Sequence, residues 1–303
     1  MHSVISKKVI AFRNVANYKF SHNLLQEQKN EIIAKLSDVL GKDYKLINLS
    51  TADENTVKNL LKNNLINSKS SLVFFNLKTN ICIDLFNGEH LTISANTFAN
   101  DNAFKKVKQV TDKLFNSLIL SYSDTYGFLA SNLYNIGSGY RIEADICLDS
   151  ICALNKIEQV KHNVSNLGYS LVETNLKSTY KLSTKSCLGI AEEDLLTEFE
   201  KMMEKLQDLE IESAKMLDVS SHDEIYDKVM RSYAILTNCH LINHEELSTL
   251  LTIVRTGVNL GFIEISNNKL IELQALVLST KNLISKTESK ELAALVRNIL
   301  KGE

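Results

Sequence analysis

The chain has no proline and no tryptophan, and only ten of its 303 residues are glycine. Arginine is scarce as well. Of the 34 Lys and Arg residues, only Arg13, Arg141, Arg231, Arg255 and Arg297 are arginine. That scarcity limits anion chemistry, because arginine offers a rigid planar fork to phosphate whereas lysine is a flexible point charge. No apolar run reaches the roughly 18 residues needed to cross a bilayer, and Met1–Ile10 has no signal-peptide core. The five cysteines (Cys82, Cys147, Cys152, Cys187, Cys239) are odd in number and form no C-x-x-C pair. Reduced, mostly buried thiols in a cytoplasmic protein are therefore expected. A net charge of -2 gives no electrostatic reason to expect nucleic acid or an anionic membrane as partner.

What is present is the composition of a globular protein, 44% hydrophobic and 23% charged, long enough for one large or two ordinary domains. Short β-type runs dominate residues 1 to 185: Val9–Arg13, Tyr44–Leu49, Ser71–Asn76, Ile81–Phe86, Leu91–Ala95, Arg141–Leu148, Tyr169–Glu173 and Thr179–Ser183. In Arg141–Leu148, the residues Ile142, Ala144, Ile146 and Leu148 alternate with Arg141, Glu143, Asp145 and Cys147. Asn80 and Asn87-Gly88 supply turns around Ile81–Phe86, the expected middle of a meander. Helical spacing marks Leu24–Leu40 (Ser21 a candidate cap, Gly41 the stop), Ala103–Leu120 and Cys152–Leu167. Strands mixed irregularly with helices favour an α+β fold. From Glu192 an amphipathic helix runs to about Leu217, a solvated face first and a partner surface second. Val219–Asp223 is the best boundary, giving domains 1–218 and 219–303, with helices at about 224–238, 243–256, 267–280 and 287–300.

Few residues read as a site on their own. Asn135-Ile136-Gly137-Ser138-Gly139 precedes a strand, so it is neither a P-loop nor a dinucleotide fingerprint. It is either a two-glycine turn or a place where backbone approaches a ligand, with Arg141 beside it. Arg141 has the competing explanation of a rim ion pair with Glu143 or Asp145. Glu89-His90 is acid/base chemistry or polar surface. His222, His240 and His244 are too scattered for a metal, and none is expected.

Four ordered segments resemble the ATP:guanido phosphotransferase (phosphagen kinase) superfamily, specifically its bacterial protein-arginine kinase (McsB) branch. Ala11–Phe20 (AFRNVANYKF) is similar to L-A-R-N-L-x-x-Y/F-P-F, and Ile81–Leu91 to the strand and loop ending N-E-E-D-H-L-R. Gly127–Arg141 (GFLASNLYNIGSGYR) resembles G-Y-L-T-x-C-P-T-N-x-G-T-G-L-R. Asp227–Leu236 and Val254–Gly261 resemble the R-S-Y-G-x-L and x-R-L-G-x-x-L-G segments of the branch's helical C-terminal domain. The resemblance implies a large antiparallel sheet flanked by helices, then a small helical domain.

It also implies transfer of the γ-phosphoryl of ATP to a guanidinium, which needs an arginine cradle, Mg²⁺ and carboxylates. The cradle positions fall on Lys8, Ile10, Thr92 and Arg141, and no arginine lies between Arg141 and Arg231. The nucleotide-binding set is then Arg141, Lys8, Asn135, Gly137, Ser138, Gly139 and His90. The substrate-facing acid position is Gly88, with Glu89 one residue along, and a one-residue shift on a strand reverses the face. The family cysteine position is Asn132. The loop carrying the second acid is reduced to Thr174–Ser178, and Asp145 adds negative charge where a triphosphate would lie. The expected reading is a pseudokinase that needs no cofactor and works through protein contacts. The family implies a Clp-type protease/chaperone or its adaptor as partner, and self-association is compatible with it. The alternatives are an active Mg·ATP-dependent protein-arginine kinase using Glu89, or a phosphoarginine/anion-binding module.

Overall fold

The computed structural model describes residues 3–67, 69–98, 102–174, 176–279 and 286–301. The strands are β1 (Val4–Arg13), β2 (Lys45–Asn48), β3 (Leu72–Asn76), β4 (Ile81–Leu85), β5 (Leu91–Phe98), β6 (Tyr122–Ser123), β7 (Gly127–Phe128), β8 (Tyr140–Cys147), β9 (Tyr169–Glu173) and β10 (Thr179–Thr184). The helices are α1 (Gln26–Leu40), α2 (Glu54–Lys62), α3 (Ala103–Ser117), α4 (Asp149–Ala153), α5 (Ile157–Asn166), α6 (Glu192–Asn238), α7 (His244–Asn259), α8 (Asn267–Ser279) and α9 (Lys286–Lys301). A large antiparallel sheet runs in the order β2-β3-β4-β5-β1-β8-β10-β9, and β6-β7 is a separate hairpin. The fold is α+β.

The described chain divides into two compact units. One comprises Lys7–Glu143 and Ser183–Phe199. Here β3, β4 and β5 form the expected meander, with Asn80, Phe86 and Gly88 at positive φ in its turns. Alternation divides β4: Ile81, Ile83 and Leu85 point one way, Cys82 and Asp84 the other. The second face is covered by α2 and the residues after it, where Leu60, Leu65 and Ile66 pack with Val73 and Cys82. Neither α2 nor the β6-β7 hairpin is announced by the periodicity. Ser21 does not cap α1: its hydroxyl donates to the Gly88 carbonyl, and α1 starts five residues later with Gln28 Oε1 accepting from the Leu25 N–H.

The other unit comprises Met1–Ser6, Ala144–Leu182 and Glu200–Glu303. The single helix expected over Cys152–Leu167 is two, α4 and α5, because Asn155 adopts φ 57 and interrupts the helix. The span α6 is two helices joined at Ser221, whose backbone (φ -156, ψ 45) is not helical, so the helix break falls within the expected Val219–Asp223 stretch. Asn243 caps α7 by accepting from the Glu246 N–H, so the helix expected from about 243 starts at His244. Thr280, the last residue of the expected 267–280 helix, lies outside the described residues. Leu236, Leu251, Leu273, Leu292 and Val296 build a core that also receives Leu176 from the β9-β10 turn. Beside it, Arg255 makes a two-pronged ion pair with Asp149 (2.7 and 2.9 Å) and bonds Gln274. The buried Glu210 carboxylate accepts from the Ser150 and Ile151 N–H groups that open α4.

Candidate functional site: a family active-site scaffold

The segment after β1 and the β4-β5 turn are tied together by side chains. Asn14 Nδ2 donates to Glu89 Oε2 (2.8 Å), and Asn14 Oδ1 accepts from the His90 N–H (2.8 Å). Glu89 also accepts from the Ser131 N–H (2.9 Å), the Asn132 N–H (3.2 Å) and Asn135 Nδ2 (3.2 Å). The residue is 2% exposed. Burial works to raise this carboxyl, but the donors from Ser131, Asn14, Asn135 and Asn132 outweigh it and hold it below the usual range. The sequence reading puts Glu89 on a strand, where a shift would reverse its face. It sits in the turn instead, where strand alternation does not apply. His90 is 0% exposed: Nδ1 accepts from the Val15 N–H (3.0 Å), and Nε2 donates to the Lys19 carbonyl (2.7 Å). Burial lowers its pKa, which suits this neutral tautomer.

The glycine turn is packed from below by Arg13, whose role the sequence reading missed. Arg13 is 1% exposed, and its guanidinium stacks 3.7 Å from the Phe128 ring centre. Nη1 donates to the carbonyls of Phe12 (2.8 Å), Ser138 (3.2 Å) and Gly139 (3.2 Å). A Cβ at Gly139 would strike that guanidinium, and one at Gly137 would strike the Cys187 carbonyl. Both glycines have positive φ and are accounted for by close backbone packing. The Gly137 and Ser138 N–H groups are engaged by the Phe128 and Cys187 carbonyls (both 3.3 Å), leaving neither to cradle an anion.

The expected cradle positions on β1 and β8, Lys8, Ile10 and Arg141, lie on the sheet face away from Arg13, since Arg13 packs toward Tyr140 and Arg141 toward Phe12. Arg141 Nη2 donates to Asn135 Oδ1 (2.9 Å). Lys8 Nζ donates to the Asn64 carbonyl, and Asn96 Nδ2 to the Asn63 carbonyl (2.8 Å), so the residues after α2 are bonded down onto this face. Asp84 accepts from Ser70 Oγ (2.6 Å) and Asn87 Nδ2 (2.7 Å), and burial raises its pKa. Ile10 is buried and Thr92 uncharged. Asn132 caps the short 3-10 turn at Leu133–Asn135 by accepting from the Tyr134 N–H (3.1 Å). On β4, burial pushes the Cys82 thiol up to about 12. Gly88, at φ 92, presents its carbonyl to Ser21 and Ser131.

In the other unit, Asp145 accepts from Ser6 Oγ (2.9 Å). The shortened β9-β10 turn is closed by Thr174 Oγ1 donating to the Thr179 carbonyl (3.0 Å). Asn175 lies outside the described residues. Among the described residues no group of three or more His, Cys, Asp or Glu could hold a metal, and no helix is long and apolar enough to cross a membrane.

Residues 25–213 match the model of the ATP:guanido phosphotransferase C-terminal catalytic domain, and residues 222–303 that of the protein-arginine kinase McsB C-terminal domain. The protein-arginine kinase of Staphylococcus saprophyticus is 26% identical over 290 residues, covering 91% of this chain and 86% of that protein. That of Staphylococcus aureus strain USA300 is 25% identical over 294 residues, with the same coverage. Among solved structures, the duplicated taurocyamine kinase from Schistosoma mansoni superimposes at a TM-score of 0.63 with 18% identity, over 75% of this chain and 37% of that one. Lombricine kinase gives 0.59 and 14%, over 69% of this chain and 66% of that one. These two share the fold. The family models span both the sheet and the C-terminal helices, and the chain belongs to the ATP:guanido phosphotransferase family, in its protein-arginine kinase branch.

Proposed function

We propose that this chain is a pseudokinase: a folded protein-arginine kinase homologue that acts through protein contacts rather than phosphoryl transfer. The observation that carries this reading is the bonding of the Lys8 amine to the Asn64 carbonyl. A cation expected to meet phosphate instead fastens the chain's own segment over the polar face. The other groups point the same way. Glu89 receives four donors and works as an anchor for the 131–135 turn. His90 is sealed from solvent. Leu176 carries the shortened β9-β10 turn into the helical core.

The residues present do not fit a magnesium-bound triphosphate. Of the cradle positions only Arg141 is a guanidinium, and each charge-assisted contact missing at Ile10 and Thr92 removes roughly 1.5–3 kcal/mol. The expected partner, by family, is a Clp-type chaperone/protease or its adaptor in a quality-control pathway.

The second reading, an active kinase using Arg141, Lys8 and Glu89, is favoured by one observation. Arg141 is only half-buried, and its bond to Asn135 leaves room for another partner. That reading requires the segment after α2 to leave the face. Radiolabelled ATP incubated with the full chain and an arginine-rich acceptor distinguishes the two. The pseudokinase reading expects no acid-labile label on arginine. Label that disappears in Arg141→Ala establishes the active kinase.

A further inference from the structure

On the sheet face away from Arg141, a groove of about 840 Å³ opens between α3, the β6-β7 hairpin and residues 188–193. That is the volume of a site for several side chains. Its walls are aromatic: Phe115, Tyr122 and Phe128 meet edge to face with ring centres 5.2–6.4 Å apart. These rings are not core. Phe115 is 53% exposed and Tyr126 58%, and Leu188 and Ile190 add exposed aliphatic surface on the opposite lip. A monomer rarely presents so contiguous an apolar patch without a use for it.

The charge of the groove says what would cover it. Its lining cations, Arg13 and Lys108, are already neutralised within the chain. Arg13 faces Glu192 at 3.7 Å, and Lys108 lies between Glu192 (2.6 Å) and Glu193 (3.1 Å). Two carboxylates, Glu192 and Glu193, answer these two cations, and a third, Asp112, gives the lining a net negative charge; Asp112 and Glu193 stand exposed at the rim. The groove also shows how it holds a cation: the Arg13 guanidinium lies flat on Phe128 with an acid beside it. An incoming ammonium would meet tyrosine rings, at Tyr122 and Tyr126, and carboxylates, at Asp112 and Glu193, along the lining of one groove.

We infer that this groove docks an extended peptide segment of a partner protein in which a bulky apolar side chain is flanked by lysines. The apolar side chain fills the aromatic trough, and the lysines reach Asp112 and Glu193. Arg141 lies on the opposite face of the strands, whereas Gly137 and Ser138 of the expected nucleotide-binding set line this groove.

The test uses the full chain and two fluorescein-labelled peptides that share a Leu-Phe centre, one flanked by lysines and one by glutamates, read by anisotropy. The lysine peptide should bind saturably with Kd in the micromolar range, weaken as salt is raised, and bind roughly tenfold less well to both Tyr126→Ser and Glu193→Lys. The glutamate peptide should not bind. Both substitutions are at exposed positions, and the comparison of the two peptides on the unaltered chain needs neither variant. Absence of saturable binding by the lysine peptide overturns the proposal. So does equal binding of the two peptides, which would mark the groove as merely sticky, and so does indifference to both substitutions.

Discussion

Arg13 and Arg141 sit on neighbouring strands and serve opposite ends. Arg13 is sunk against Phe128 and Tyr140 and donates to three backbone carbonyls, so it is a structural strut. Arg141 is half-buried and bonds the side chain of Asn135. Around Arg141 the expected cradle positions Lys8, Ile10 and Thr92 are lysine, isoleucine and threonine. The comparison teaches that an arginine can be explained wholly by packing while another of the same fold stays half-buried and bonded to a side chain.

Substitution breaks the comparison most sharply. Arg13→Met removes three donations to backbone carbonyls, although Gly139 keeps the Phe12 N–H, together with the packing on Phe128, and should cost about 3 kcal/mol or more in urea unfolding, whereas Arg141→Met should cost less than about 1 kcal/mol. Equal losses would mean that the two arginines are not different in kind. Glu89→Gln comes next. The amide keeps the shape but sets an NH₂ against N–H donors, and a loss of roughly 2 kcal/mol is expected. Because the native Glu89 carboxyl is held low, its stabilisation is present above the unfolded carboxyl range and is lost as pH falls through the folded value. The variant should therefore flatten the acid limb of the stability curve.

A third test sharpens the contrast between the two anchoring glutamates. Burial, reinforced by Asp149, pushes Glu210 up to about 7. Its sign is opposite to that of Glu89: stability is fully present below the unfolded carboxyl pKa and declines as pH rises through about 7. Urea unfolding should give a lower midpoint at high pH than in mild acid, by an amount on the order of 1 kcal/mol or more, and Glu210→Gln should reduce that dependence. A small, local effect is expected at Lys8. Lys8→Met removes one bond to the Asn64 carbonyl and should change stability by about 1 kcal/mol while increasing hydrogen exchange in the 63–67 segment.

Where local chemistry decides structure, the sequence was readable. The alternation in Tyr140–Cys147 survives as a buried/half-buried alternation, and Gly41 and Asn243 end and begin helices where their backbone preferences suit. What could not be read depends on distant partners. Helix α2, in the polar stretch ENTVKNLLK, gains its burial from residues distant in sequence, Val73 and Cys82 among them. The two-residue strands of the β6-β7 hairpin are too short to show a period. Asn155 broke an otherwise continuous helical pattern with a positive φ that Asn tolerates. At the site, the residue types were legible and their partners were not. Arg13 looked like any other family-segment arginine until Phe128 and the Gly139 carbonyl were placed beside it. Nothing local to Glu89 tells that its carboxylate is claimed by residues 131–135.

The most direct test is a thermal-unfolding titration of the full chain with Mg·ATP up to millimolar concentration. A face fastened to its own α2 segment, with one guanidinium on it, predicts no shift in the transition. A ligand at about 100 times its Kd would stabilise by roughly 2.7 kcal/mol. A rise of that order, abolished by Arg141→Ala, would contradict the account.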